Sequence, residues 1–424
     1  MRVEKRPLNI FQLLGPGLLF AGAAVGVSHL VLSTKAGANY GFGLLWLVIL
    51  ANLMKYPFFE YGPRYAMATG ESLLEGYRRM CKWVLATFVT VTLGTMFTVQ
   101  AAVTIVTAGL ASYIFGLAIP ISAWVIILLV ICSGILLIGK YAVLDNLMKI
   151  IVISLTIITI IAVAIAAIYY EPKKLALSWT QHISFETTAL GFYVVFTGWM
   201  PAPLDLSVWH SLWTLEKQEA TKGEFSATKS FFDFNIGYIG TTILAIIFLS
   251  LGALVMYGSG EIFSDKGGEF AGQLIRLYTT TLGAHAAWLV AIAAFITMFS
   301  TTITCLDAMP RAMAKAHYLL LDKKETNTAP IEMPKSYYWT WMLVLIIGTL
   351  IILTAFTANM GTFITVATIL SFVTTPFFAI VNTLLVNSKQ MPSSSVPPLW
   401  NQILSWMGIV YLLIFTGLYL WSLS

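Results

Sequence analysis

From Gly198 to Ser211 the chain reads GWMPAPLDLSVWHS, an apolar run that also holds a thioether, two prolines and a carboxylate. Met200 offers soft sulfur and Asp205 hard oxygen, so together they span the ligand types of transition metals and of harder cations. Pro201 and Pro203 lack an N–H, and each clashes with the turn before it. Their predecessors, Met200 and Ala202, are pushed away from helical geometry. A helix here is expected to break near Met200–Pro203. The break frees carbonyls at the end of the first half and puts Asp205 in the first turn of the second, where the helix dipole favours an anion. A simple proline kink around a hydrogen-bonded Asp205 is the plainer reading of the same residues.

A second cluster lies near the start. AGAAVGVSHLVLS places Gly22, Gly26, Ser28 and His29 inside another apolar run. Glycine permits unusual backbone geometry and close approach, and an imidazole suits a transition metal. A histidine satisfied by a neighbouring carbonyl is the commoner arrangement for His29 alone. Gly26, Ser28, His29, Met200, Pro201, Ala202 and Asp205 form the candidate substrate site, with Met200, Asp205 and His29 as its metal-ligating set. For a hard, hydrated ion such as magnesium, Asp205 with carbonyls near Gly26 and Met200 suits better. For an organic solute, Ser28, Trp199 and Trp209 could line a wider pocket.

These residues need elements that hold them in an apolar medium. Of 424 residues, 58% are hydrophobic and only 10% charged, against about 25% charged in a soluble domain. No Asp, Glu, Lys or Arg occurs from Trp83 to Gly139, Phe234 to Gly260, Leu277 to Leu306, or Ser336 to Ser388. About 20 apolar residues cross a bilayer as a helix. The pattern predicts an all-α integral membrane protein with eleven spans: 12–36, 42–63, 84–115, 121–140, 147–170, 187–212, 233–257, 284–308, 337–357, 361–387 and 400–422. The first run, with no clear cleavage site after it, reads as a retained helix.

Residues 1–424 form one transmembrane domain in this reading, with repeats over 12–170 and 187–387 and an extra helix over 400–422. Broken segments at matching places in two halves point to a binding site at the repeat interface. Loops expected inside carry most Lys and Arg, including Arg78, Arg79, Lys82, Arg311, Lys315, Lys323 and Lys324; the outer loops keep Lys173, Lys174, Lys266 and Arg276. The bias places the N-terminus in the cytoplasm and the C-terminus outside, in a prokaryotic inner membrane or a plasma membrane. The loop from Gly258 to Gly283 has room for a short helix, and His317 to Ser336 reads as a mobile linker. Cys81, Cys132 and Cys305 make no CxxC pairing. No nucleotide-binding loop, soluble catalytic domain or nucleophile–base pair is visible. An enzyme, a bound cofactor and a nucleic-acid partner are therefore not expected; the partners are the lipid bilayer and a transported species.

GPGLLF, AGANYGFGLLWLVILANLM and ATGESL resemble the Nramp (natural resistance-associated macrophage protein) divalent-metal transporters. The resemblance spans all eleven segments and is strongest in the first 75 residues. It implies a LeuT-like 5+5 inverted repeat with helices one and six broken, and proton-coupled uptake of manganese or iron. The family's span-one motif, Asp-Pro-Gly-Asn, falls on Gly26, Val27, Ser28 and His29, so both of its metal-ligating side chains are missing. The span-six motif, Met-Pro-His, falls on Met200, Pro201 and Ala202, so its histidine is missing too. The acidic pair expected in span three falls on Gln100 and Val103. The fold is kept and the chemistry changed. The default expectation is a secondary active transporter that moves a divalent cation through a non-standard site by alternating access. The alternative is a sodium- or proton-coupled symporter of a small organic solute. A sensor that transports nothing would have no need of the helix breaks.

Coupling falls on Glu60, Gln100, Thr301 and Thr302. With Ser300, Thr301 and Thr302 stand where the LeuT-like fold can hold sodium between spans one and eight, although such hydroxyls commonly bond the preceding turn. Glu60 and Arg64 can pair one helical turn apart, as can Asp307 and Arg311; an unpaired Glu60 would replace the missing span-three acids. Lys55 is expected to snorkel or pair. Trp46, Tyr337, Tyr338, Trp339, Trp341 and Trp400 read as interfacial anchors.

Overall fold

The computed structural model describes residues 13–138, 141–169, 187–258, 264, 267–282, 287–321, 333–355 and 360–422. Among them, nine helices are long and apolar enough to cross a membrane. The first expected span is α1 (Pro16–Ala24), a π-helical turn (Val27–Ser33) and α2 (Thr34–Tyr40) in series. The second is α3 (Leu45–Thr69), which carries Lys55, Glu60 and Arg64. After the short α4 (Leu73–Met80) come α5 (Lys82–Phe115), α6 (Ile121–Ile138) and α7 (Tyr141–Tyr169). The sixth is split into α8 (Thr187–Gly198) and α9 (Leu206–Ala220). The rest are α10 (Ala227–Val255), α11 (Gly267–Leu282), α12 (Ala287–Leu321), α13 (Lys335–Ala355), α14 (Met360–Val386) and α15 (Leu399–Ser422).

Burial sorts these helices. The first segment is almost wholly enclosed, whereas α6, α7, α13 and α15 are mostly open to the outside. Their outward residues are apolar: Ile126, Val130 and Leu137 on α6, Ile150, Ile157 and Ile161 on α7, Ile403, Val410 and Leu413 on α15. A surface of this kind is suited to lipid and not to water. The chain is an integral membrane protein. α11 supplies the short helix expected between Gly258 and Gly283.

The expected start of the linker at His317 is corrected. α12 runs through residue 308 to Leu321 in one helix despite Pro310. Met309, Ala312, Met313, Ala316 and Leu319 bury one face of the extension, and Arg311 and Lys315 are paired on it. The proposed linker therefore begins later, and its residues 322–332 lie outside those described.

α1 and α10 cross backbone to backbone. A Cβ on Gly17 would come within 2.0 Å of the Asp233 carbonyl oxygen, and one on Gly237 within 2.1 Å of the Gly17 carbonyl oxygen. Small residues allow this approach in membranes, where packing and not hydrophobicity drives helix association. Gly237→Ala must therefore part the helices. We expect it to cost about 1–3 kcal/mol, read as a lower thermal midpoint in detergent, while Gly240→Ala, whose Cβ would meet nothing within 4 Å, leaves the midpoint unchanged.

Candidate functional site

Two helix interruptions face each other in the interior. In the first, α1 ends at Ala24 and the π-turn starts at Val27. Gly26 fits here because a Cβ would meet Thr301 Oγ1 at 2.7 Å. In the second, the prolines act as expected: residues 199–205 leave the helix, and the Met200–Pro201 peptide is cis. π-turns and unwound segments inside membrane helices mark functional sites, since regular hydrogen bonding is given up there.

Ser28 links the interruptions. Its Oγ lies 2.7 Å from the Ala24 carbonyl, 3.4 Å from the Pro201 carbonyl and 2.7 Å from His29 Nδ1. His29 Nε2 lies 3.0 Å from the Thr241 carbonyl on α10. A carbonyl only accepts, so Nε2 carries the proton, and the unprotonated Nδ1 competes with the Ala24 carbonyl for the single Ser28 hydroxyl proton. Both ring nitrogens are engaged, the arrangement noted above as the commoner one. Met200 and Ala202 are buried. Among the described residues, no three His, Cys, Asp or Glu side chains gather closely enough to hold a metal ion.

Asp205 stands at the N-cap of α9, and its backbone carbonyl accepts from Val208 N at 2.9 Å. Its Oδ1 is shielded from solvent and has no hydrogen-bond partner among the described residues. A shielded carboxylate oxygen without a donor is costly, and a bound cation or a proton would relieve the cost.

Between the interruptions lies a cavity of about 30 Å³, lined by Ala23, Ala24, Val27, Ser28, Val99, Val103, Trp199, Pro203, Leu206, Trp209, Thr301 and Cys305. That is room for about one water. The Trp199 and Trp209 indole N–H groups are buried without acceptors among the described residues. His29, Met200 and Asp205 are not among the lining residues.

The coupling candidates fall in three places. The Thr301 hydroxyl reaches the Gly22 and Val25 carbonyls at 3.0 and 3.3 Å, so a hydroxyl and span-one carbonyls do converge. Thr302 turns to α5, 2.8 Å from Thr107 Oγ1, and Gln100 Nε2 donates to Thr104 Oγ1 at 3.1 Å. Glu60 is outside the centre. It accepts from Arg64 Nε at 2.7 and 2.9 Å and from Asn401 Nδ2 at 3.2 Å, and it borders a separate cavity of about 320 Å³ with Arg64 and Ser395.

Asn382 and His210 were not singled out from the sequence, and Lys55 and Tyr338 were read without their partners. Lys55, fully buried, donates to the Thr197 and Gly198 carbonyls at 2.7 and 2.8 Å. Asn382 on α14 joins Tyr77 Oη to Ser207 Oγ on α9. His210 packs against Phe20 and Phe234 with neither nitrogen partnered among the described residues. Tyr338, read as an interfacial anchor, donates instead to Asp307 at 2.8 Å. The signal for Lys55 was a single lysine in mid-span; the others needed the tertiary contacts.

Comparison with known proteins places this arrangement. The fold matches the crystal structure of the Eremococcus coleocola manganese transporter, with TM-score 0.74 at 15% identity over 98% of this chain and 88% of that one. It also matches Mhp1, a nucleobase-cation-symport-1 family transporter solved with bromovinylhydantoin bound, with TM-score 0.58 at 14% identity over 96% and 92%. The class is thus an all-α membrane protein of LeuT-like fold with helices one and six broken. A family model described as natural resistance-associated macrophage protein-like matches residues 17–422. The chain belongs to the Nramp family. It is 38% identical to protein PM0681 of Pasteurella multocida over 97% of this chain and 92% of that protein. Over 84 residues, 18% of this chain and 20% of the relative, it is 33% identical to the divalent metal cation transporter MntH of Chromohalobacter salexigens.

Proposed function

We propose that this protein is a secondary transporter that moves a divalent cation by alternating access around the two helix interruptions. The observation that carries the reading is Asp205: a carboxylate at the break with one shielded oxygen that has no partner among the described residues. Family membership and the metal-transporting relatives support the cargo class. The site is non-standard, because the ligands are Asp205 and backbone carbonyls, with the Met200 thioether and His29 joining only if they turn from their present surroundings. The cation binds on the Asp205 side of the break. The Lys55 ammonium already holds the α8 carbonyls, and a divalent ion about 5 Å from it is disfavoured by on the order of 6 kcal/mol at an effective dielectric of about 20. The N-terminus is cytoplasmic and the C-terminus outside, as the loop charges favour.

Uptake of manganese, iron and magnesium into proteoliposomes tests the reading. Asp205→Asn is expected to cut saturable uptake at least about tenfold, or about 1.4 kcal/mol. Saturable uptake unchanged by Asp205→Asn sinks the site.

A second reading is favoured by Trp199 and Trp209, which line the cavity and whose indole N–H groups have no acceptor among the described residues. Two indole donors suit carbonyl or carboxylate oxygens of a small organic solute. It takes over if the wild-type protein moves none of the three metals and a carboxylate- or amide-bearing solute quenches its tryptophan fluorescence saturably.

A further inference from the structure

We propose that the Lys55 ammonium is a built-in monovalent cation that fills the carbonyl site at the end of α8, so that this site takes up no free ion while Lys55 is in place. The inference rests on reading the break as part of a transport site, but its test needs no cargo.

An α-helix that stops leaves its last carbonyls without partners and gathers partial negative charge there. At a helix end facing water, solvent supplies the donors. α8 stops inside the protein, at Gly198. Two of its terminal carbonyls, those of Thr197 and Gly198, point at one atom: Lys55 Nζ, at 2.7 and 2.8 Å, delivered by a different helix. Lys55 is 0% exposed, and these carbonyls are its hydrogen-bond partners among the described residues. No carboxylate is paired with it there.

A neutral donor could cap two carbonyls without burying a charge, which is expensive in a membrane interior unless the surroundings supply an opposing field. The end of a half-helix supplies that field. Unwound carbonyls and half-helix C-termini coordinate small monovalent cations in transporters of this architecture, and an ammonium carries the same charge at similar size. A free cation at the same oxygens would touch the ammonium. Like charges a few ångströms apart in a weakly polar interior exclude each other. The Lys55 head group and a free ion therefore compete for one site, and the tether gives the head group the advantage of effective concentration.

Removing the head group should turn the site into an ordinary ion site. Purified wild-type protein and Lys55→Ala are unfolded thermally in detergent, with sodium or potassium chloride titrated against choline chloride at constant ionic strength. The wild-type midpoint is expected to be the same in all three salts. Lys55→Ala is expected to unfold lower in choline and to recover at least half of the lost midpoint, saturably, in sodium or potassium. Lys55→Met, which fills the space, should show a smaller recovery.

A folded, monodisperse Lys55→Ala protein whose midpoint is the same in all three salts overturns the proposal, because Lys55 is then only a helix cap. Saturable stabilisation of the wild type that Lys55→Ala abolishes overturns it as well. If Lys55→Ala cannot be purified in choline, recovery of folded protein in sodium or potassium supports the proposal, and failure in every salt overturns it. Because the readout is thermal and cargo-free, its failure is distinct from a failure of Asp205-dependent uptake.

Discussion

Arg311→Met should lower the thermal midpoint by about 6 °C, taking about 3 kcal/mol at about 2 °C per kcal/mol for a chain of this size. Arg311 ties three helices together. Its Nη2 lies 2.9 Å from Asp307 Oδ1 on α12, and its Nη1 lies 2.8 Å from Glu216 Oε1 on α9. The guanidinium carbon stands 5.5 Å from the centre of the Tyr338 ring on α13. The Asp307 side chain is 4% exposed. Removing only the cation leaves that carboxylate buried with the Tyr338 hydroxyl as its remaining donor among the described residues, and an uncompensated buried charge costs more than the pair contributed. Glu216 is the more exposed acid, so its pairing adds little. Arg311→Met/Asp307→Asn should therefore be more stable than Arg311→Met alone. A double variant as unstable as the single would show that Arg311 acts through packing and not charge.

The same substitution reports on movement. Glu216 lies on α9, the second half of the broken helix, and the neighbouring Lys315–Glu75 pair at 2.8 Å joins α12 to α4. The Arg311–Glu216 pair fastens the end of α9 to α12. Freeing it should open the path to the central cavity, where Cys305 is buried. In a background lacking Cys81 and Cys132, a thiol reagent should label Cys305 faster in Arg311→Met than in the wild type. Equal rates at equal stability would place the fastening outside the opening motion.

How far the sequence carried depended on whether a feature was local. Pro201 and Pro203 act on their own turns, so the break of the sixth span was readable to within a few residues. The apolar runs gave the helices for the same reason. The linker after the eighth span was started too early, at His317, because charge was taken as the limit of the helix. Asp307, Arg311 and Lys315 neutralise one another and their neighbours on Glu216 and Glu75, so a charged stretch stays helical and buried. The site chemistry was less legible. Residue type suggested His29 as a ligand, but the carbonyl of Thr241, 212 positions away, holds its ring. Lys55 was visible as an oddity, yet its partners lie 142 and 143 positions away. Composition shows that a buried charge needs compensation; only the tertiary fold shows what compensates it.

Asp233→Ala is expected to be nearly as damaging, at about 3 kcal/mol, because it removes an anion from the start of α1. Asp233 Oδ1 accepts from Gly15 N at 2.8 Å, and Oδ2 accepts from Gly17 N at 2.6 Å. Pro16 between them has no N–H to satisfy and sets the first helical φ. The carboxylate comes from α10, 216 positions from Gly17, so it serves both as helix cap and as clamp between helices. Charge-assisted bonds of this kind contribute about 1.5–3 kcal/mol each, and the helix dipole adds a part of a kcal/mol. Asp233→Asn keeps one acceptor oxygen and loses the charge, so it should forfeit about half as much. Thermal unfolding of the two variants checks the order. If Asn is as damaging as Ala, the full negative charge is what α1 requires. If neither shifts the midpoint, the Gly17–Gly237 backbone crossing alone holds α1 against α10. Because α1 leads directly into the Gly26 interruption, a loosened start should also let Ser28 drift from the Pro201 carbonyl and raise Cys305 labelling. A destabilised Asp233→Ala that labels at the wild-type rate would separate the anchoring of α1 from the state of the central site.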